Sequence, residues 1–364
     1  MADTPKLYFV SRINLLRTIA VAGIFFHHLW NGIPGMRNAS ALTELLHPLF
    51  MLADQGVGVF NIVTGFVLAW PYLGPGQKSL PDWADFQKKR FFKIIPAYYL
   101  SLCVLAPATM RVYGISSPAW LVQNLGLRLL FLQSWNYQSL MSNMAAYWWL
   151  GLLAQFYLCF PLLLRIYHRF GPARTSLGIM AACWTGLALL KGHVLYWQDS
   201  SLGWLDYMIY FNLPARLPEF AIGMWLAAAW RQNRAVSAGP LPFDPGFMRL
   251  GIGAAIFFLI GLMLPELPLP LGLVYNAARC LICVGIVFTL PQADRWGAYR
   301  PVAFIAGASY SIYLIHQPLQ GFMHEVFKAA SPQAEFILQS SITLFLVFAL
   351  AVLLDKAVGH KNQK

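Results

Sequence analysis

The stretch LRTIAVAGIFFHH, residues 16–28, sets an arginine at one end of an apolar run and two histidines at the other. Read as helix, the eleven steps from Arg17 to His28 turn through about 1,100°, three full turns and about 20°, over about 16 Å of axis. Arg17 and His28 therefore share one face, while His27 points about 80° away. The rest of the segment has the character of a lipid-embedded helix, so two readings of its ionisable groups stand side by side. In one, Arg17 snorkels to the cytoplasmic headgroups and a histidine sits at an interface; in the other, Arg17 and His28 line a shared polar path.

The whole chain supports the lipid setting. Soluble domains carry about 25% charged residues, whereas these 364 residues are 11% charged and 58% hydrophobic, with a mean hydropathy of +0.56. No polar stretch is long enough for a separate soluble domain, so we expect one membrane domain over 1–364 with its core at 10–356. The formal net charge is +12, but in a membrane protein the placement of the basic residues matters more than their sum, and no nucleic-acid partner is expected. The N-terminus lacks the pattern of a cleaved signal peptide, so none is expected. Cys103, Cys159, Cys183, Cys280 and Cys283 all lie in apolar runs. The one C-x-x-C has no second ligand pair and no thioredoxin-like context, so packing is the reading and no metal is expected. No G-x-S-x-G, H-E-x-x-H or P-loop motif occurs, and no internal repeat is visible.

Apolar runs of about 20 residues predict an all-α polytopic fold with about ten transmembrane helices. They fall at about 13–31, 52–73, 92–110, 147–167, 176–191, 207–230, 249–265, 270–290, 302–326 and 336–354. The segment 120–135 carries Gln123, Asn124, Arg128 and Gln133 and reads as an interfacial or re-entrant helix. An even count places both termini on one side, and the basic residues select the cytoplasm: 18 lysines and arginines fall on that side and 5 on the other. No long polar extension follows the tenth span, so no fused extracytoplasmic domain is expected.

Six pieces, in order, resemble acyltransferase family 3, the ten-helix membrane O-acyltransferases that modify surface polysaccharides and related acceptors. The first is the arginine followed eleven residues later by histidine, Arg17 and His28. GVGVFNIVTGFVLAW, 56–70, is similar to the family's second span, with Thr64 where serine is usual. FQKKRFFKIIPAYY, 86–99, resembles its basic Arg-Arg-x-x-Arg motif, present as Lys89, Arg90 and Lys93. WWLGLLAQFYLCFPLL, 148–163, is similar to a segment whose acidic residue is here Leu153. RLPEFAIGMWLA, 216–227, and SYSIYLIHQPL, 309–319, resemble the family's Arg-x-Pro-Glu-Phe and Tyr-Leu-x-His-x-Pro patterns. Leu153 puts any role for that carboxylate in doubt, and lysine for arginine loses bidentate phosphate geometry while keeping charge.

The resemblance implies a membrane enzyme moving an acyl group, acetyl by default, from cytoplasmic acyl-CoA to a hydroxyl of an extracytoplasmic acceptor, a cell-surface or lipid-linked carbohydrate. The setting implied is the bacterial cytoplasmic (inner) membrane. His28 would be the general base, with a transient acyl-histidine as the alternative. Arg17 would bind the donor or orient the path, and Lys89, Arg90 and Lys93 would meet the phosphates of acyl-CoA unless they only set topology. Gln155, Arg216, Glu219, Tyr313 and His316 would bind the acceptor. Arg216 and Glu219, three apart on a helix, equally suit a structural salt bridge, and His316 equally suits helix packing. Asp54 could orient a histidine or cap a helix. The rival function is a transporter or lipid flippase, because ten spans with intramembrane charge would serve one too.

Overall fold

The computed structural model describes residues 4–112, 118–140, 144–196, 209–236, 249, 252–253, 255–256, 269–290, 292–329 and 331–358. Among these residues the regular structure is entirely helical. In chain order the helices are α1 (Thr4–Gly32), α2 (Ala41–Leu52), α3 (Gly56–Ala69), α4 (Trp83–Val112), α5 (Pro118–Leu129), α6 (Tyr137–Leu140) and α7 (Trp148–Phe170). They continue with α8 (Pro172–Tyr196), α9 (Leu213–Val236), α10 (Leu269–Thr289), α11 (Ala293–Ala298), α12 (Arg300–Val326) and α13 (Pro332–Ala357). Short 3-10 turns stand at Ala53–Gln55, Gln133–Trp135 and Ala145–Tyr147.

Five helical stretches among the described residues are long and apolar enough to cross a membrane: Val10–Gly32, Ala41–Ala69, Ala145–Phe170, Pro172–Gly192 and Pro332–Ala357. The chain is an integral membrane protein. The expected span at about 249–265 lies almost wholly outside the described residues. One boundary is corrected: the second apolar stretch begins at Ala41 rather than near residue 52. Glu44, His47 and Pro48 interrupt the apolar pattern there, yet Ser40 caps α2 through a capping box with Thr43, and the helix forms. In the segment expected to lie at the interface, α5 is only 12 residues long, too short to cross. Its Asn124 and Arg128 are buried, as is Gln133 beyond it. Arg128 donates to the Asn124 carbonyl at 3.2 Å and the Ser139 carbonyl at 3.3 Å.

The chain forms two compact units. The first comprises Met1–Val57, Phe91–Gly151 and Arg295–Lys364. Here α1 packs along α12, which packs on α13, and the Ala53–Gln55 turn lies against α1. That approach needs a glycine, since a Cβ on Gly56 would stand 2.4 Å from the Ala20 carbonyl oxygen. Two bonds join α1 to α12 near opposite ends: Thr18 Oγ1 to the Val302 carbonyl at 3.0 Å, and Gln320 Nε2 to the Phe25 carbonyl at 2.9 Å.

Pro318 interrupts α12. A proline has no N–H, so the carbonyl four residues earlier, Leu314, loses its helical partner. The buried Tyr147 hydroxyl donates to it at 2.8 Å. Its neighbour Ala146 is held on both sides: the amide donates to Gln317 Oε1 and the carbonyl accepts from the Tyr313 hydroxyl. The 3-10 turn Ala145–Tyr147 is thus clamped to three positions of α12, Tyr313, Leu314 and Gln317, which bracket His316.

The second unit comprises Gly58–Arg90 and Leu152–Asp294, with α8 packed on α9 and α10. Within it α3 and α9 meet backbone to backbone. A Cβ on Gly65 would lie 2.1 Å from the Phe220 carbonyl oxygen, and one on Gly223 would lie 1.9 Å from that of Ile62. Pro161 repeats the logic of Pro318: it frees the Tyr157 carbonyl in α7, and Gln87 Nε2 donates to it at 2.7 Å.

Tyr147→Phe removes the donor from a buried carbonyl and is expected to cost about 1–3 kcal/mol. In a Pro318→Ala background Leu314 regains a helical N–H, so the same change should cost clearly less. Thermal unfolding of the four proteins in detergent measures the coupling; equal costs in both backgrounds would show that the hydroxyl does not serve the proline gap.

Candidate active site

The continuous α1 carries Arg17, His27 and His28 on one helix. Arg17 and His28 are both half-buried, and their separation of eleven residues keeps them on one face. The two histidines have different surroundings. His27 Nδ1 lies 2.9 Å from the Phe50 carbonyl oxygen, so that nitrogen carries the proton, and Nε2 is 3.1 Å from Asn31 Nδ2. A neutral His27 is therefore satisfied at both nitrogens. Asp54 Oδ1 stands 3.8 Å from the same Nε2, which places the carboxylate beside His27.

His28 instead meets a third histidine. Its ring centroid is 5.3 Å from that of His316, with the planes inclined by 33°. His316 is 1% exposed. Its Nδ1 lies 2.7 Å from the Tyr313 carbonyl oxygen, which can only accept, so Nδ1 is the protonated nitrogen. Nε2 of the neutral ring is left as a lone pair, buried and with no hydrogen-bond partner among the described residues. Tyr313 is itself buried, its hydroxyl bonded to the Ala146 carbonyl. A half-buried imidazole beside a buried one with an open lone pair is suited to accept a proton from a hydroxyl brought against it.

The first unit thus brings together His28, Tyr313 and His316. In the second unit, Arg216 is 3% and Glu219 2% exposed. Arg216 Nη1 meets Glu219 Oε1 at 3.0 Å, and Asn61 Nδ2 donates to Glu219 Oε2 at 2.6 Å. Arg216 also donates from Nε to the Tyr210 carbonyl at 2.9 Å and stacks 4.1 Å from the centre of that ring. Gln155 spends both ends of its amide on the start of α9. Nε2 donates to Asn212 Oδ1 at 2.8 Å, and Oε1 accepts from the Leu213 amide at 3.1 Å. On α4, Lys89 and Lys93 are exposed, and the half-buried Arg90 lies over the Phe86 ring at 5.4 Å.

Several partners escape a reading of motifs. Gln317 and Gln320 flank Pro318, and Asn61 is an amide inside the apolar run GVGVFNIVTGF. A polar residue in such a run, or beside a helix-breaking proline, is the available signal. Tyr147 carries none, because an aromatic in an apolar run looks like packing until its hydroxyl finds a carbonyl.

A family model described as an acyltransferase domain matches residues 10–356. The chain belongs to acyltransferase family 3. It is 23% identical over 376 residues to the O-acetyltransferase OatA of Staphylococcus aureus strain NCTC 8325 / PS 47, covering 94% of this chain and 56% of that protein. It is 22% identical over 366 residues to the putative O-acetyltransferase SACOL0978 of S. aureus strain COL, with the same coverage of 94% and 56%. The chain therefore spans little more than half the length of these curated relatives. No solved structure matches it.

Glu219→Leu alone leaves Arg216 as a buried charge without its carboxylate and is expected to destabilise by about 3–5 kcal/mol. Pairing it with Arg216→Met removes both charges and should recover most of that loss. Detergent melting curves report both, and an unrecovered double variant would mean that the pair does more than hold the fold.

Proposed function

We propose that this protein is a membrane O-acyltransferase that moves an acyl group, acetyl as the default, from cytoplasmic acyl-CoA to the hydroxyl of an extracytoplasmic carbohydrate or lipid-linked sugar. The observation that carries the reading is the His28–His316 pair. In a chain of acyltransferase family 3, it puts a half-buried imidazole beside a second, buried imidazole. In this reading ten helices cross the bacterial cytoplasmic membrane with both termini inside, as the bias of basic residues along the chain supports, and a single acyltransferase domain spans 10–356.

His28 acts as general base. It takes the proton of the acceptor hydroxyl as that oxygen attacks the thioester carbonyl, and the proton passes to the departing CoA thiolate, leaving an ester and a free thiol. Arg17, on the same face and nearer the inner end of α1, orients the donor or binds its charge. Lys89, Arg90 and Lys93 meet donor phosphates as point charges, which suits two exposed lysines. Tyr313 positions His316 through its carbonyl. Gln155, Arg216 and Glu219 are assigned to the scaffold, because each is engaged by partners of its own unit, and the two charges are matched there.

The test uses membrane vesicles carrying the full chain, with labelled acetyl-CoA on the cytoplasmic face and label counted in glycan and lipid fractions. Incorporation should require the protein, and His28→Gln at normal protein level should lower it by about 100-fold or more. Normal transfer in that variant would remove the base assignment, and no incorporation with wild-type protein would favour a transporter or flippase. Replacing Lys89, Arg90 and Lys93 together by glutamine should raise the Michaelis constant for acetyl-CoA about tenfold, the loss of one charge-assisted contact, with topology unchanged.

A further inference from the structure

The lone pair on His316 Nε2 is a polar feature of the candidate site to which the acyl-transfer reading gives no task. It belongs to a side chain that is 1% exposed and has no hydrogen-bond partner among the described residues. Leaving such an acceptor empty is unfavourable, because it loses its bond to water without gaining another. Its other nitrogen is committed to the Tyr313 carbonyl at 2.7 Å, so the ring cannot relieve the cost by exchanging tautomers without breaking that bond.

Beside it stands His28. Two imidazoles joined edge to edge by one N–H···N bond have ring centres about 5 Å apart, the bond itself taking about 2.9 Å. The observed 5.3 Å is a separation that one such bond can span. Turning His28 about χ2, a broad torsion, exchanges ring carbon for nitrogen at the edge facing His316.

We propose that His316 is a positioning residue acting through His28: its Nε2 accepts the ring N–H of His28 and thereby fixes the tautomer whose opposite nitrogen faces the acceptor hydroxyl. The inference deepens the acyl-transfer reading and rests on it. During transfer the free nitrogen of His28 takes the hydroxyl proton as the new C–O bond forms and the C–S bond breaks. The resulting imidazolium keeps its other N–H on His316, whose own Nδ1–H remains on the Tyr313 carbonyl, so the charge spreads along a chain ending in backbone. The proton then leaves His28 for the thiolate sulfur. His316 gains and loses no proton over the cycle.

The chemistry makes separable demands on position 316. His316→Asn keeps a donor for the Tyr313 carbonyl and removes the acceptor. His316→Gln offers an amide oxygen toward His28, and His316→Phe keeps only the ring shape. In the vesicle assay, Asn and Phe should lower kcat about tenfold or more with the Michaelis constant for acetyl-CoA within about twofold, and Gln should recover part of the loss. Combined with His28→Gln, His316→Asn should add nothing, because the two act as a unit. A second measurement does not depend on turnover: in the full-length protein with 15N-labelled histidine, a coupling across the N–H···N bond should appear between two imidazoles and vanish in both His28→Gln and His316→Asn. An absent coupling in wild-type protein, or a well-folded His316→Asn with normal kcat, would overturn the proposal. Coupling without any acetyl transfer by wild-type protein would instead sink the acyl-transfer reading and leave the pairing of the rings intact.

Discussion

A helix in an apolar surrounding has no water to complete its backbone, so any carbonyl that loses its intrahelical partner must find one in the protein. Pro318 creates such a carbonyl at Leu314, and the Tyr147 hydroxyl fills it. Much of the candidate site follows from that one bond. Seating Tyr147 against α12 brings the Ala145–Tyr147 turn alongside, where Ala146 exchanges bonds with Tyr313 and Gln317. His316 lies between those two positions, so the partners that repair the proline gap also hold the histidine's stretch of helix. Gln320 completes the arrangement by reaching the Phe25 carbonyl, three residues before His28 on α1.

The placement of the two imidazoles thus rests on backbone repair in α12 and on the Gln320 tie to α1, made by groups that are not themselves reactive. This accounts for histidine, glutamine and proline standing together as HQP in α12: the proline opens the carbonyl, Gln317 holds the turn that supplies the repair, and the histidine is carried at the break. The same economy appears in α7, where Pro161 frees Tyr157 and Gln87 restores it. The recurrence in a second helix marks the repair as a general requirement of the fold.

Most helices were legible because apolar length is a strong signal, and nine of the ten expected segments overlie described helices. The start of the second stretch was not, because Glu44, His47 and Pro48 read as loop until the capping box at Ser40 is seen. At the site, helical arithmetic sets His28 apart from His27, and the two have different neighbours: His27 meets Phe50 and Asn31, His28 meets His316. The His28–His316 contact itself could not be read, since it joins residues far apart in the chain and depends on how α1 packs along α12. The polar residues of 120–135 read as an interfacial or re-entrant helix, and the short α5 there buries Asn124 and Arg128, with Gln133 beyond it, against backbone carbonyls that composition alone does not reveal.

A buried lone pair without a donor is uncommon in folded proteins because it costs about as much as a modest core mutation. It persists at position 316 only because stronger constraints fix the ring: the Nδ1 bond, the clamp on α12, and close packing of Tyr313 against Trp149 with ring centres 5.1 Å apart. The surrounding structure therefore holds an acceptor in readiness instead of hiding it, and His28, with its ring centre 5.3 Å away, is a side chain that can supply a proton on a ring edge. A base whose second nitrogen is already engaged need not reorganise when charge develops on it, which is the condition under which a general base contributes most in a site shielded from water.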